Sequence, residues 1–221
     1  MKINLLLGAI LFFILSSLSV SGQKTETPSP STTNPKAFAL IQEAFRLESA
    51  DLFESAIDKY KEVLKIEPKD LAAMNSIAGL YGKLGKFEDE VFWAQKATEI
   101  DPEYWMAYIN LGNGYGLQGK FDSAIQAYEK AAKIAPKEPL PVYSLGVVAE
   151  NQNDFPKALS LYKRSVDLDP KFENGLFSEA AMFATLKQFA EAKAVLNKLL
   201  QINPRAEDAR QMLLQIEKEK P

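Results

Sequence analysis

A loop that holds a phosphate needs glycines that let its backbone wrap the anion, a lysine behind them, and a hydroxyl for magnesium. Residues 114–120 carry the first two at the required spacing: Gly114, four intervening residues, then Gly119 and Lys120. The hydroxyl is missing, because Phe121 stands where serine or threonine is needed. No strand pattern leads into the loop either, so nucleotide chemistry is not expected. Gly114 and Gly116 still require a cause, since each glycine inside a helix costs roughly 1 kcal/mol relative to alanine. They point to a hinge or to a close approach by a ligand at that place. The second candidate is the acidic run Glu88, Asp89 and Glu90. Adjacent carboxylates can divide acid and base roles, but the sequence offers them no pocket chemistry. The first two suit a helix start, where the macrodipole favours negative charge.

Other reactive side chains are absent by type. The chain has no cysteine and no histidine, which removes thiol nucleophiles, imidazole bases, disulfides and the usual zinc ligands. No cofactor and no metal are expected, and the chain reads as non-enzymatic. A formal charge of −3, with no block of Lys or Arg, argues against nucleic acid as partner. At 47% hydrophobic and 25% charged residues, the composition is that of an ordinary folded protein.

The elements that must position any function are set by a period. Pro68, Pro102, Pro136, Pro170 and Pro204 each follow the one before by 34 positions. Phe53, Phe87, Phe121, Phe155 and Phe189 keep the same step, as do Ile66, Ile100, Ile134, Leu168 and Ile202. Three registers with one period over one stretch mark a stacked repeat array. Units start at 37, 71, 105, 139 and 173, giving 37–70, 71–104, 105–138, 139–172 and 173–206. In the third, Tyr108, Leu111, Gly112 and Tyr115 share one face of a first helix. Gly119 and Lys120 break it. Phe121, Ala124, Ile125, Tyr128 and Ala131 then mark a second helix, which Ile134 and Pro136 close. Residues 207–221 add one more amphipathic helix, with Ala209, Met212, Leu213 and Ile216 on one face, as a cap with a polar outer side.

Ahead of the array, residues 1–22 read as a secretory signal. Lys2 is its positive start, Leu5–Leu15 its apolar run, and Val20 and Gly22 suit cleavage before Gln23. The competing reading is an uncleaved anchor. Its apolar run of about 16 residues is shorter than the roughly 20 a spanning helix needs. A lipoprotein is excluded for want of a cysteine. Residues 23–36, rich in Ser, Thr and Pro, read as a flexible linker. The expected location is the periplasm or outside the cell, with membrane attachment only if the first segment stays uncleaved.

The units resemble the tetratricopeptide repeat (TPR) family. Its pattern is a large residue, Leu-Gly and Tyr in the first helix, then Ala, an aromatic and Ala in the second, with Pro at the end. The third unit matches throughout, with Tyr108, Leu111, Gly112, Tyr115, Ala124, Tyr128, Ala131 and Pro136. The fourth has Ala149 for the Tyr and Ser165 for the last Ala. The first and fifth carry Glu43 and Glu179 in the Leu slot. The second departs most: Glu90 replaces the small residue and Ala94 the aromatic, with Trp93 beside it to fill the volume. That unit is expected to form the weakest or most distorted joint. The resemblance implies an all-α fold, a right-handed α-solenoid of helix-turn-helix repeats with a C-terminal capping helix.

It also implies a function. In this family the first helices line a concave surface that receives peptides or helices of other proteins, through offsets 2, 5, 6 and 9 of each unit. Carried over, these positions give Phe38, Ile41, Gln42 and Phe45, then Asn75 and Ser76. Met106, Ile109, Asn110 and Asn113 follow, then Tyr143, Ser144 and Val147, and finally Phe177 and Ser178. Offset 6 is polar in every unit and is flanked by large apolar residues, which suits a peptide backbone among its side chains. The basic clamp with which some members grip a C-terminal carboxylate is absent. The expectation is a non-catalytic interaction scaffold of the cell envelope. The alternative is a structural module that self-associates through its ends or convex face.

Overall fold

The computed structural model describes residues 32–218, which form eleven α-helices and no strand. The expected signal and most of the expected linker lie outside the described residues. The helices are α1 (Pro35–Ser49), α2 (Phe53–Ile66), α3 (Leu71–Lys83), α4 (Phe87–Ile100), α5 (Trp105–Leu117) and α6 (Phe121–Ile134). After them come α7 (Pro139–Asn151), α8 (Phe155–Leu168), α9 (Glu173–Thr185), α10 (Phe189–Ile202) and α11 (Glu207–Lys218). Every second helix therefore runs from the Phe ladder to the Ile/Leu ladder. The first helix begins earlier than its unit. Asn34 caps it by accepting from the Lys36 and Ala37 backbone N–H groups, so Pro35 and Lys36 belong to α1 and not to the linker.

Each turn between paired helices ends on a residue of positive φ: Asp51, Gly85, Gly119, Asn153 and Lys187. The N–H of the next residue reaches back to a carbonyl of the helix just ended, as from Lys120 to Tyr115 at 2.9 Å. This is the Schellman arrangement, which satisfies carbonyls a helix end leaves free. The Gly119–Lys120 pair is thus a helix stop. Between units the proline has no N–H to give. The residue before it bridges the gap, with Asp101, Asp169 and Asn203 accepting from Glu103, Lys171 and Arg205.

Each helix packs on its neighbours in sequence, and first helices also meet across units, α3 with α5 and α5 with α7. That closer approach sets the first helices on the inner side of the array's curve. The molecule is an α-solenoid, closed by α11 through Ala209, Met212 and Ile216. In units three and four a glycine on the first helix meets the tyrosine of the second. A Cβ on Gly146 would lie 2.6 Å from the Tyr162 ring, and one on Gly112 would run into Tyr128. The absence of a side chain lets the two helices cross at the distance the tyrosines fill.

The second unit departs as its sequence suggests. Ala94 and Ala97 are buried and bring little volume, and Trp93 packs against three separate apolar clusters in their place. At its joint with the third unit the fully buried residues are mostly alanine, with Met74 and Leu111, and half-buried Val91, Trp93, Tyr104, Tyr108 and Tyr115 complete the packing. The α4 helix lies against α5 at least as extensively as any other units meet, so this joint differs in composition and is not thin. The α3 and α5 helices run against each other over a longer stretch than α5 and α7.

Candidate functional site

The inner face is built by the first helices, and the fifteen positions carried over from the resemblance divide into three groups. Phe38 and Met106 are exposed, at 40% and 37% of their full surface. Gln42, Phe45, Asn75, Ser76, Asn110, Asn113, Tyr143 and Phe177 are half-buried. Ile41, Ile109, Ser144, Val147 and Ser178 are buried. This last group corrects the expectation that all fifteen face a partner. Ile41, Ile109 and Val147 belong to the apolar cores between helices, because adjacent first helices close over them.

The polar row at offset 6 also has work inside the protein. The Asn110 amide donates to the Asn75 side-chain oxygen at 2.8 Å and to its backbone carbonyl at 3.1 Å. The Ser178 hydroxyl lies 3.5 Å from that of Tyr143. In both cases offset 6 of one unit meets offset 5 of the unit before. The row ties neighbouring first helices together, which the sequence pattern alone did not show. Tyr143 is also held by rings, with centroids 5.4 Å from both Tyr162 and Phe172. Burial pushes its hydroxyl above the ordinary tyrosine range, against the lowering effect of Ser178. None of the fifteen is charged, so the face offers apolar contact and neutral hydrogen-bonding groups.

Behind it lies a line of tyrosine hydroxyls. Tyr60 and Tyr162 point at Glu48 and Glu150, at 3.5 and 2.5 Å, and Tyr128 donates to Asn113 at 2.7 Å. Glu150 is buried and raised above the usual carboxylate range, by desolvation more than the tyrosine bond lowers it. Sequence reasoning missed this residue. Its only signal was its register, twelve positions ahead of the tyrosine as Glu48 is ahead of Tyr60.

The acidic run separates. Glu88 and Asp89 are exposed at the start of α4. Glu90 is 2% exposed, its Oε2 has no hydrogen-bond partner, and burial lifts its pKa to about 8. Two glycines make room for it. A Cβ on Gly82 would lie 2.8 Å from its carboxylate, and one on Gly114 would lie 2.7 Å from Val91 and 3.4 Å from Glu90. The close approach signalled by Gly114 is thus made by the neighbouring unit's own side chains. Tyr128 is pushed upward too, first by burial and then by the Glu90 charge.

A cavity of about 270 Å³ opens where units three and four meet. Its walls include Asn113, Leu117, Phe121, Val147, Val148 and Asn151. Among the described residues no cluster of potential metal ligands is found, and no helix is long and apolar enough to cross a membrane.

Comparison with known proteins agrees with this architecture. Tetratricopeptide repeat models match residues 71–104, 105–138 and 143–207. No curated protein sequence matches the chain. Among solved structures, a thermophilic TPR protein of Thermus thermophilus superposes with a TM-score of 0.72 at 18% identity, over 81% of this chain and 98% of that one. MamA from Desulfovibrio magneticus RS-1 gives 0.59 at 19% identity, over 79% and 99%. YrrB, described as a TPR protein with an unusual peptide-binding site, gives 0.53 at 18%, over 80% and 91%. At such identities the likeness is one of fold.

Proposed function

The chain belongs to the tetratricopeptide repeat family, and from that premise we propose that it is a non-catalytic scaffold whose inner face binds a peptide or helix of another protein. One observation carries the reading. Along the inner face, exposed Phe38 and Met106 and half-buried Phe45, Tyr143 and Phe177 run beside the neutral polar groups of Gln42, Asn75, Ser76, Asn110 and Asn113. Exposed apolar surface rimmed by polar residues is the usual mark of an interaction site. A peptide-binding site in a protein of the same fold, YrrB, supports it. The setting we propose is the cell envelope, on the strength of the signal-like sequence of residues 1–22.

The test uses side chains whose replacement leaves the fold alone. Phe38→Arg and Met106→Arg place a charge on exposed positions, so the helical circular dichroism and thermal midpoint should stay as they are. An envelope protein retained by the unaltered chain in a pull-down, and identified there, should be lost by the double variant. Equal retention by both chains would remove the inner face as the site.

A further inference from the structure

The cavity at the joint of units three and four has a donor and an acceptor to spare. Asn113 and Asn151 both line it. Asn113 uses its oxygen internally, as acceptor for the Tyr128 hydroxyl at 2.7 Å. Its NH₂ group is left to the cavity. Asn151 does the reverse, donating from Nδ2 to the Val147 carbonyl at 2.9 Å. Its oxygen is left over. The Val147 carbonyl can only accept, which fixes the free end of Asn151 as an acceptor, and with the Tyr128 hydroxyl donating to Oδ1 the free end of Asn113 is its NH₂ donor. The remaining wall is apolar, from Leu117, Phe121, Val147 and Val148, and none of the lining residues is charged.

Resting on the peptide-groove reading, we infer that this cavity is a side-chain pocket selective for a glutamine or asparagine of the partner. Its size suits a side chain, being below the roughly 300–1,000 Å³ of small-molecule sites. A partner's carboxamide matches both free ends: its C=O accepts from the Asn113 NH₂, and its own NH₂ donates to the Asn151 oxygen. A carboxylate lacks the donor and faces the Asn151 oxygen with like charge. An ammonium lacks the acceptor and loses its hydration in a wall without counter-charge. A leucine fills the volume but strands both carboxamides, which is how a hydrogen-bonding site rejects an apolar analogue. A single main-chain amide does not match, because its trans geometry sends C=O and N–H in opposite directions. An extended main chain that offered one residue's N–H and C=O here would leave no side-chain preference in the bound peptides.

The experiment is selection of random peptides displayed on phage against the immobilised full chain, followed by affinity measurements on the synthetic winners. The selected peptides should share Gln or Asn at one position. Changing it to Glu, Lys or Leu should weaken binding at least about tenfold. Asn113→Asp keeps the acceptor for Tyr128 and turns the free donor into an acceptor, so it should erase the amide preference and move selection toward Lys or Arg. Asn151→Leu, which removes the acceptor, should erase the preference while peptides still bind through the rest of the face. Peptides retained with no amide preference, or a preference unchanged in both variants, would overturn the pocket and leave the groove standing. Failure to retain any peptide would overturn the groove and the pocket with it.

Discussion

Glu90 shows what a single residue can do to a joint. The family pattern places a small side chain here, and the chain instead buries a carboxyl with one oxygen unpaired. Such a group avoids ionising by holding its proton, which its pKa of about 8 expresses. The folded-state value lies above the ordinary 4.5, so the folded chain binds more protons than the unfolded chain between those two values. Stability from the neutral form is complete below pH about 4.5 and drains away as pH rises through about 8. The shift corresponds to at most about 5 kcal/mol. Glu90→Gln keeps the shape and removes the titration. Urea midpoints should therefore be similar for variant and parent at pH 5, and higher for the variant at pH 9. A gap that does not widen with pH would mean the carboxyl is already charged in the folded state. The sequence showed an acid in a small-residue slot. It could not show the space that admits the acid, because that space comes from Gly82 and Gly114 on two different helices.

Helices and turns were the most legible scale. The second helices begin at the Phe ladder and end at the Ile/Leu ladder. Phe53, Phe121, Phe155 and Phe189 pack on the apolar cores, as do Ile66 and Ile202, while Ile100 is exposed, so the period is kept even where one copy of the contact is loose. A turn was visible where glycine marks it, at Gly119, and Gly85 takes the same place in the second unit. Asp51, Asn153 and Lys187 adopt the same left-handed backbone at the same register. Aspartate and asparagine tolerate it, but lysine has no local hydrogen bond to offset a cost of roughly 1–2 kcal/mol. Lys187→Gly should accordingly stabilise the fold by about 0.5–1 kcal/mol, after the extra freedom glycine gives the unfolded chain. Gly119→Lys should destabilise it by a similar or larger amount. Chemical denaturation of the two variants decides the matter, and a change of the same sign in both would contradict a shared turn geometry. Contacts between first helices were not legible. The Asn110–Asn75 bond joins residues 35 apart on separate units, and local periodicity describes which face a residue takes, not which neighbour it reaches.

At the scale of the whole molecule, stability in a solenoid is a sum over neighbours, so its cooperativity is only as good as its weakest joint. The apolar core is broad over units one and two, and broadest from unit four through α11. Between units two and three its fully buried members are mostly alanine, with half-buried Trp93, Tyr104, Tyr108 and Tyr115 filling the rest, and here the buried Glu90 carboxyl has an oxygen without a partner. The chain has two tryptophans: Trp93 on α4 packs across this joint, whereas Trp105, at the start of α5, packs into the core of unit three. In a Trp105→Phe background, used for every curve below, the fluorescence of Trp93 therefore reports the joint, while far-ultraviolet circular dichroism reports all eleven helices. At pH 5, with Glu90 neutral, the two urea transitions should coincide, as for a single cooperative unit. At pH 9 the charged carboxyl weakens this joint more than any other, and the fluorescence transition should fall at lower urea than the loss of helix. Glu90→Gln should bring the two curves together again at pH 9. Coincident curves for the parent chain at both pH values would show that neighbouring joints carry the second through its loss, and that the array unfolds as one body despite its uneven core.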